Sequence, residues 1–258
     1  MRVLRVLRVL SVIVAGLVAG SALAQSSGGA AGQTADFDSA CRRLSARDAS
    51  GALRWTRTAA ERRALYLQAF QLAEERLRTL ARTRKPGTWA VISDADETLL
   101  DNSAFQCTLE ATLEKKFDAA LWDQWIAAEQ ATATPGAAEF VGAVRRLGGR
   151  LIVVTNRLES KHRAATAKNL EALGMAPDGL LLASSAAATD KNQRFRIAAT
   201  QGIAGAAAPP EIVMYLGDNI EDFPDLNQSS PGSAGDFGSV FFVLPNPVYG
   251  SWLRNDFR

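Results

Sequence analysis

"VISDADETLLDNSAFQ" (residues 91–106) places Asp94, Asp96 and Glu97 directly after an apolar run, with Asp101 four residues further on. Crowded carboxylates repel one another, and strands disfavour Asp. A chain that ends a buried strand in this way needs something positive to gather the charges. The run before them, "TWAVISD" (88–94), is one of five similar stretches; the others are "RLIVVTN" (150–156), "GLLLAS" (179–184), "EIVMYLGD" (211–218) and "SVFFVLPN" (239–246). Each is apolar on consecutive residues, as strands covered on both faces should be. Helix-like stretches such as "PGAAEFVGAVRRLG" and "ESKHRAATAKNLEALG" lie between them and end in Gly. The alternation predicts an α/β fold with a doubly wound parallel sheet.

Around this core the reading is coarser. "TAAERRALYLQAFQLAEERLRTL" has apolar residues recurring at three and four and predicts an N-terminal helical arm over about 50–83, stopped by "KPG" at 85–87. The segment 101–134 is too long for a simple crossover and carries Trp122 and Trp125, so a small helical cap is expected there. The organisation expected is a leader at 1–24, a linker at 25–49 and one domain at 50–258.

The leader is read from Arg2, Arg5 and Arg8, an apolar run to Gly20, and Ala22-Leu23-Ala24 as the cleavage site of a secretory signal peptide. The competing reading is an uncleaved anchor, but the apolar core is shorter than the roughly 20 residues of a spanning helix. The first cysteine is Cys41, so a lipid anchor at the cleavage site is not expected. A periplasmic or secreted protein without stable membrane insertion is expected. Without the three leader arginines the formal charge falls from +2 to −1, so the basic balance does not point to a nucleic-acid polymer. Cys41 and Cys107 permit one disulfide in an exported protein, and two free buried thiols are the alternative. A single histidine, His162, excludes multi-histidine zinc sites, and in "SKHRAA" it is expected to be solvated on a helix.

In an open parallel sheet the ligand sits outside the carboxyl ends of the strands. Those ends bring Asp94, Asp96 and Thr98 from the first strand and Thr155, Asn156 and Arg157 from the second. The loop after the third leads to Lys191 and Arg194, and the fourth supplies Asp218 and Asp222. Hard oxygen donors of this kind suit Mg2+ and a phosphate. One carboxylate can then attack phosphorus while a second serves as acid and base. Blander roles compete: Asp96 and Thr98 could cap a helix, Asp218 and Asp222 could begin a solvated one, and Arg157 and Arg194 read as surface or supporting residues.

"DADET", "VVTNR", Lys191 in "TDKNQRF" and "GDNIEDF" resemble the four motifs of the haloacid dehalogenase (HAD) superfamily of aspartate-nucleophile phosphatases. With "LWDQW", "PGAAEF" and "LPNPVYGSW" the chain resembles, more narrowly, the bacterial class C acid phosphatases of subfamily IIIB, which include lipoprotein-type 5'-nucleotidases. The resemblance runs from about Leu53 to Trp252 and implies a HAD-like Rossmannoid fold with Asp94 as nucleophile and Asp96 as acid/base. It implies Mg2+ held by Asp94, the Asp96 carbonyl and Asp218, with Asp222 on a metal water. Thr155 and Asn156 would bind phosphate, and Lys191 would balance charge. "ASSAAATDK" lacks the extra lysines expected before the third motif, which leaves Lys191 the least secure assignment. Small phosphate monoesters are the implied substrates. Phe105 and Tyr249, with Trp122 and Trp125, are candidates for packing around a nucleoside base, or alternatively for cap core. A dehalogenase would have no use for an acid at Asp96. A non-catalytic phosphate-binding or storage protein on the same fold would have no need to keep the nucleophile.

Overall fold

The computed structural model describes residues 37–44, 48–112, 116–201 and 208–257. The expected leader at 1–24 and the first part of the linker lie outside the described residues. The chain runs through helices α1 (Phe37–Arg43), α2 (Gly51–Thr58) and α3 (Ala60–Ala81) to strand β1 (Trp89–Ser93). β2 (Leu100–Asp101), α4 (Ser103–Glu110), α5 (Ala119–Ala128) and β3 (Thr132–Ala133) follow. The remainder is α6 (Ala137–Arg146), β4 (Arg150–Leu158), α7 (Glu159–Ala172), β5 (Gly179–Ala183), α8 (Asn192–Thr200), β6 (Glu211–Gly217) and β7 (Phe241–Val243).

The five apolar runs form one parallel sheet in the order β5-β4-β1-β6-β7. Every residue of β1 is buried because both of its faces are covered. Trp89 and Val91, with Leu151 and Val153 of β4, pack against Tyr66, Phe70 and Leu77 of α3 and Phe140 and Val144 of α6. Ala90 and Ile92, with Ile152 and Val154, face Phe195 and Ala198 of α8. The period-2 geometry of a strand thus gives the consecutive apolar pattern a use on each side. From β1 the chain winds outward through β4 and β5, then returns to place β6 on the other side of β1. That reversal opens a crevice at the carboxyl end of β1, where Asp94 sits.

The cap leaves and re-enters through a short antiparallel pair, Leu100 with Ala133 and Asp101 with Thr132. The Thr134 N–H and hydroxyl close it on the carbonyls of Leu99 and Thr98, at 3.0 and 2.6 Å. α4 and α5 are therefore held at a fixed place above the crevice. Among the described residues no helix is long and apolar enough to cross a membrane.

Two expectations are corrected. Part of the expected linker is helical: α1 buries Phe37 edge-on against Trp125 of the cap, ring centroids 4.8 Å apart, and Cys41 is joined to Cys107 of α4 by a disulfide. The seven residues "FDSACRR" are too short to show a helical period and form a helix because the cap covers one side. His162 is buried rather than solvated. Its Nδ1 accepts from the Leu158 N–H at 2.9 Å and its Nε2 lies 2.9 Å from Asp123 Oδ1, which ties α7 to the cap helix α5.

Candidate active site

Asp94 follows the last residue of β1, and its N–H donates to the Leu216 carbonyl at 2.9 Å, so the sheet ladder itself sets its position. The chain then turns sharply. Glu97 takes a left-handed conformation (φ 55°), its carbonyl accepts from the Tyr66 hydroxyl at 2.5 Å, and its side chain accepts from the Asn102 N–H at 3.0 Å. Burial pushes the Glu97 carboxyl well above the usual carboxylate range. This turn brings Asp96 back toward the crevice beside Asp94.

Lys191, at the start of α8, donates to both Asp94 Oδ1 and Asp222 Oδ1, the second at 2.6 Å. Asp218 accepts from the Thr98 hydroxyl at 3.1 Å and from Asn246 Nδ2 at 2.8 Å. Carboxylate oxygens of Asp94, Asp218 and Asp222 all lie within 4.8 Å of one another. Asp222 reaches this point because residue 217 is Gly: a Cβ there would lie 2.2 Å from Asp222 Cβ. Burial, and then the Asp222 and Asp96 charges, push Asp94 up to about 7 against the pull of Lys191. Burial, then Asp222 and Asp94, raise Asp218 too. Burial disfavours the Lys191 charge, but Asp222 and Asp94 outweigh it and hold its pKa above the ordinary lysine value. Three carboxylates against one lysine leave an excess of negative charge on hard oxygen donors, a set that fits a divalent cation.

Asp96 is held separately. Arg157 Nε and Nη2 grip its carboxylate at 2.7–3.1 Å, and Asn102 Nδ2 donates to Oδ1 at 2.9 Å. Arg157 is 2% exposed, donates to the Thr166 hydroxyl at 3.1 Å, and has its guanidinium carbon 5.5 Å from the Trp122 ring centre. Asn102 is fixed in turn by the Trp125 indole N–H at 2.7 Å.

Asp94, Asp96, Lys191, Asn156, Asp218, Asp222, Phe105 and Tyr249 all line one cavity of about 640 Å³. Thr155 does not line it. It is fully buried, its hydroxyl accepts from the Arg157 N–H at 3.2 Å, and its carbonyl accepts from Arg194. Asn156 is exposed, and its Oδ1 accepts from Arg194 Nη2 at 2.5 Å, which leaves the amide nitrogen to donate. Trp122 lines the cavity, whereas Trp125 supports Asn102 from the core.

Nothing in the sequence assigns a role to Asn102 or Asn246, whereas Arg157 and Arg194, expected at the strand ends as surface or supporting residues, are supports: Arg157 holds Asp96 and Arg194 holds Asn156. For Arg157 a signal existed: β4 continues to Leu158, so alternation turns Asn156 out and Arg157 in. For Asn246 the only cue was its place in "LPNPVYGSW".

The sequence profile of HAD superfamily, subfamily IIIB (acid phosphatase) matches residues 22–252. A solved structure of the class C acid phosphatase from Bacillus anthracis is 30% identical, with a TM-score of 0.67 over 84% of this chain and 87% of that one. A second structure of that protein, with tungstate bound, is 30% identical with a TM-score of 0.66 over the same shares of the two chains. HAD enzymes generally use a divalent metal, and the aspartate cluster at the end of β1 could hold one. Profile, fold and charge cluster agree: this chain belongs to the HAD subfamily IIIB acid phosphatases and is a phosphomonoesterase acting on small phosphate monoesters.

Proposed function

We propose that the protein is an exported, Mg2+-dependent acid phosphatase that works through an aspartyl phosphate on Asp94 and prefers nucleoside 5'-monophosphates. The observation that carries the mechanism is the pair of differently held carboxylates. Asp94 is pinned by Lys191 beside Asp218 and Asp222, and Asp96, two residues on, is gripped by Arg157. When bound, Mg2+ on Asp94, the Asp96 carbonyl and Asp218 would offset the charge of the carboxylates and the phosphate.

Asp94 Oδ attacks phosphorus as the ester oxygen departs with a proton from Asp96, leaving phosphate on Asp94 and Asp96 ionised. Asp96 then takes a proton from water, which attacks the same phosphorus and frees Asp94. Lys191 and the Asn156 amide are the donors for phosphoryl oxygens.

Nucleotide preference is supported by Trp122 and Tyr249 in the cavity wall; Phe105, 1% exposed, packs edge-on behind Trp122 at 4.8 Å and takes the cap-core role instead. A base stacked on such rings gains roughly 1–3 kcal/mol with little regard to its identity. Export is supported by the Cys41–Cys107 disulfide, which persists in oxidising compartments. Hydrolysis of p-nitrophenyl phosphate should need Mg2+, stop with EDTA and be abolished in Asp94→Ala. A loss of only about ten-fold in Asp94→Ala would rule out the covalent route, since a missing nucleophile is not so lightly replaced. Comparing kcat/KM for AMP and glycerol phosphate, before and after Tyr249→Ala, tests the preference; a parent ratio near one rejects it.

A further inference from the structure

We infer that a second cavity, beneath the helical arm, is a binding site for a small oxyanion of the phosphate class, separate from the catalytic centre. It has a volume of about 450 Å³ and is lined by Arg57 of α2, Arg62 of α3, Asp101, Ser103, Gln130 and Thr132, with Trp125 and Ala104 completing the wall. None of these residues lines the catalytic cavity.

Arg62 is 8% exposed, its Nη1 pairs with Asp101 Oδ2 at 2.9 Å, and its guanidinium carbon lies 5.0 Å from the Tyr66 ring centre. Its Nη2 is buried and has no hydrogen-bond partner. Buried guanidinium donors in native proteins are almost always satisfied, so Arg62 is incompletely neutralised and brings positive charge to the cavity that it lines. Asp101 meets Nη1 and the Ser103 N–H, the latter at 2.9 Å, and makes no bond to Nη2. Arg57 is exposed, and its Nη1 donates to the uncharged Ser103 hydroxyl at 2.9 Å; no carboxylate pairs with it among the described residues. The lining thus holds two guanidiniums against one carboxylate, Asp101, which pairs with Arg62 alone, and is net positive. Forked N–H donors of this kind match the oxygens of a phosphate. The volume leaves room for a phosphate with accompanying water.

Isothermal titration calorimetry of the full chain with inorganic phosphate, at constant ionic strength in chloride, tests the site. The parent should bind phosphate at two sites, and Lys191→Ala should keep the one beneath the arm. Arg57→Ala, a change at an exposed position, should lose that site while kcat/KM for p-nitrophenyl phosphate stays within about two-fold of the parent. Arg62→Gln should lose the same site, with a thermal melt reporting whether it folds. The inference is overturned if the parent binds phosphate at one site that Lys191→Ala removes, or if Arg57→Ala still binds at both.

Discussion

Arg157 meets Asp96 with two nitrogens, Nε at 3.0 and 3.1 Å and Nη2 at 2.7 Å, from a position that is almost wholly buried. The contact joins the end of β4 to the turn after β1, so the proposed acid/base is aimed by a neighbouring strand rather than by its own loop. Arg157→Ala should lower kcat by roughly a hundred-fold with little change in KM, since a misaimed proton donor fails only in the transition state. The loss should be greater on glycerol phosphate than on p-nitrophenyl phosphate, whose leaving group needs little protonation. Arg157→Lys should recover only part, because a point charge cannot reproduce a two-nitrogen grip. Equal losses on both substrates would mean that Arg157 acts on folding alone.

Gly217 lies where a side chain would collide with Asp222. A Cβ there sits 2.2 Å from Asp222 Cβ and 2.5 Å from its Oδ2. Gly217→Ala should displace Asp222 and release one of the two carboxylates on Lys191, with a stability loss of about 1–3 kcal/mol from overpacking. Activity should fall by at least about ten-fold, because Lys191 then balances a different charge set at the nucleophile. Steady-state kinetics and a denaturant titration read the two effects apart.

The Cys41–Cys107 bond closes a long loop, with a sequence separation of 66, between α1 and the cap. On chain-entropy grounds such a crosslink is worth about 4 kcal/mol. Paired Cys41→Ser and Cys107→Ser substitutions should lower Tm by about 10 °C, while p-nitrophenyl phosphate turnover at low temperature persists. An unchanged Tm would show that α1 docks on the cap without the bond.

Asp94 is raised from 3.8 to about 7 in the folded protein, chiefly by burial. A carboxyl raised in the folded state contributes stability that is complete below 3.8 and is lost as pH rises through about 7. The metal-free protein should therefore lose this contribution across that window. A cation at the cluster competes with the proton and restores it. The Mg2+-induced rise in Tm should accordingly be larger near about pH 7.5 than near about pH 5. A rise that is larger at the acidic pH would place the cation away from Asp94.

The strands and most of the chemistry were legible in the chain because they are local. Five short apolar runs alternating with helix-like stretches read as strands buried on both faces, and the polar residues at their ends then meet at one edge of a parallel sheet. Asp94, Asp96, Asn156, Lys191, Asp218 and Asp222 were reached this way, and they line one cavity. Partnership was not legible, because it depends on which distant segment comes to rest beside a residue. The strand order placed β4 next to β1 and so turned Arg157 onto Asp96, residues 61 apart. The same strand end buried Thr155, whose hydroxyl accepts a backbone N–H there. His162, charged-looking among Lys161 and Arg163, is buried because α5 brings Asp123 against it. α1 has too few residues to hold a helix alone and owes its form to the cap surface and the bond to Cys107. Local pattern determined which groups stand at the strand ends; only packing between segments far apart in the chain decided which of them is held, and by what.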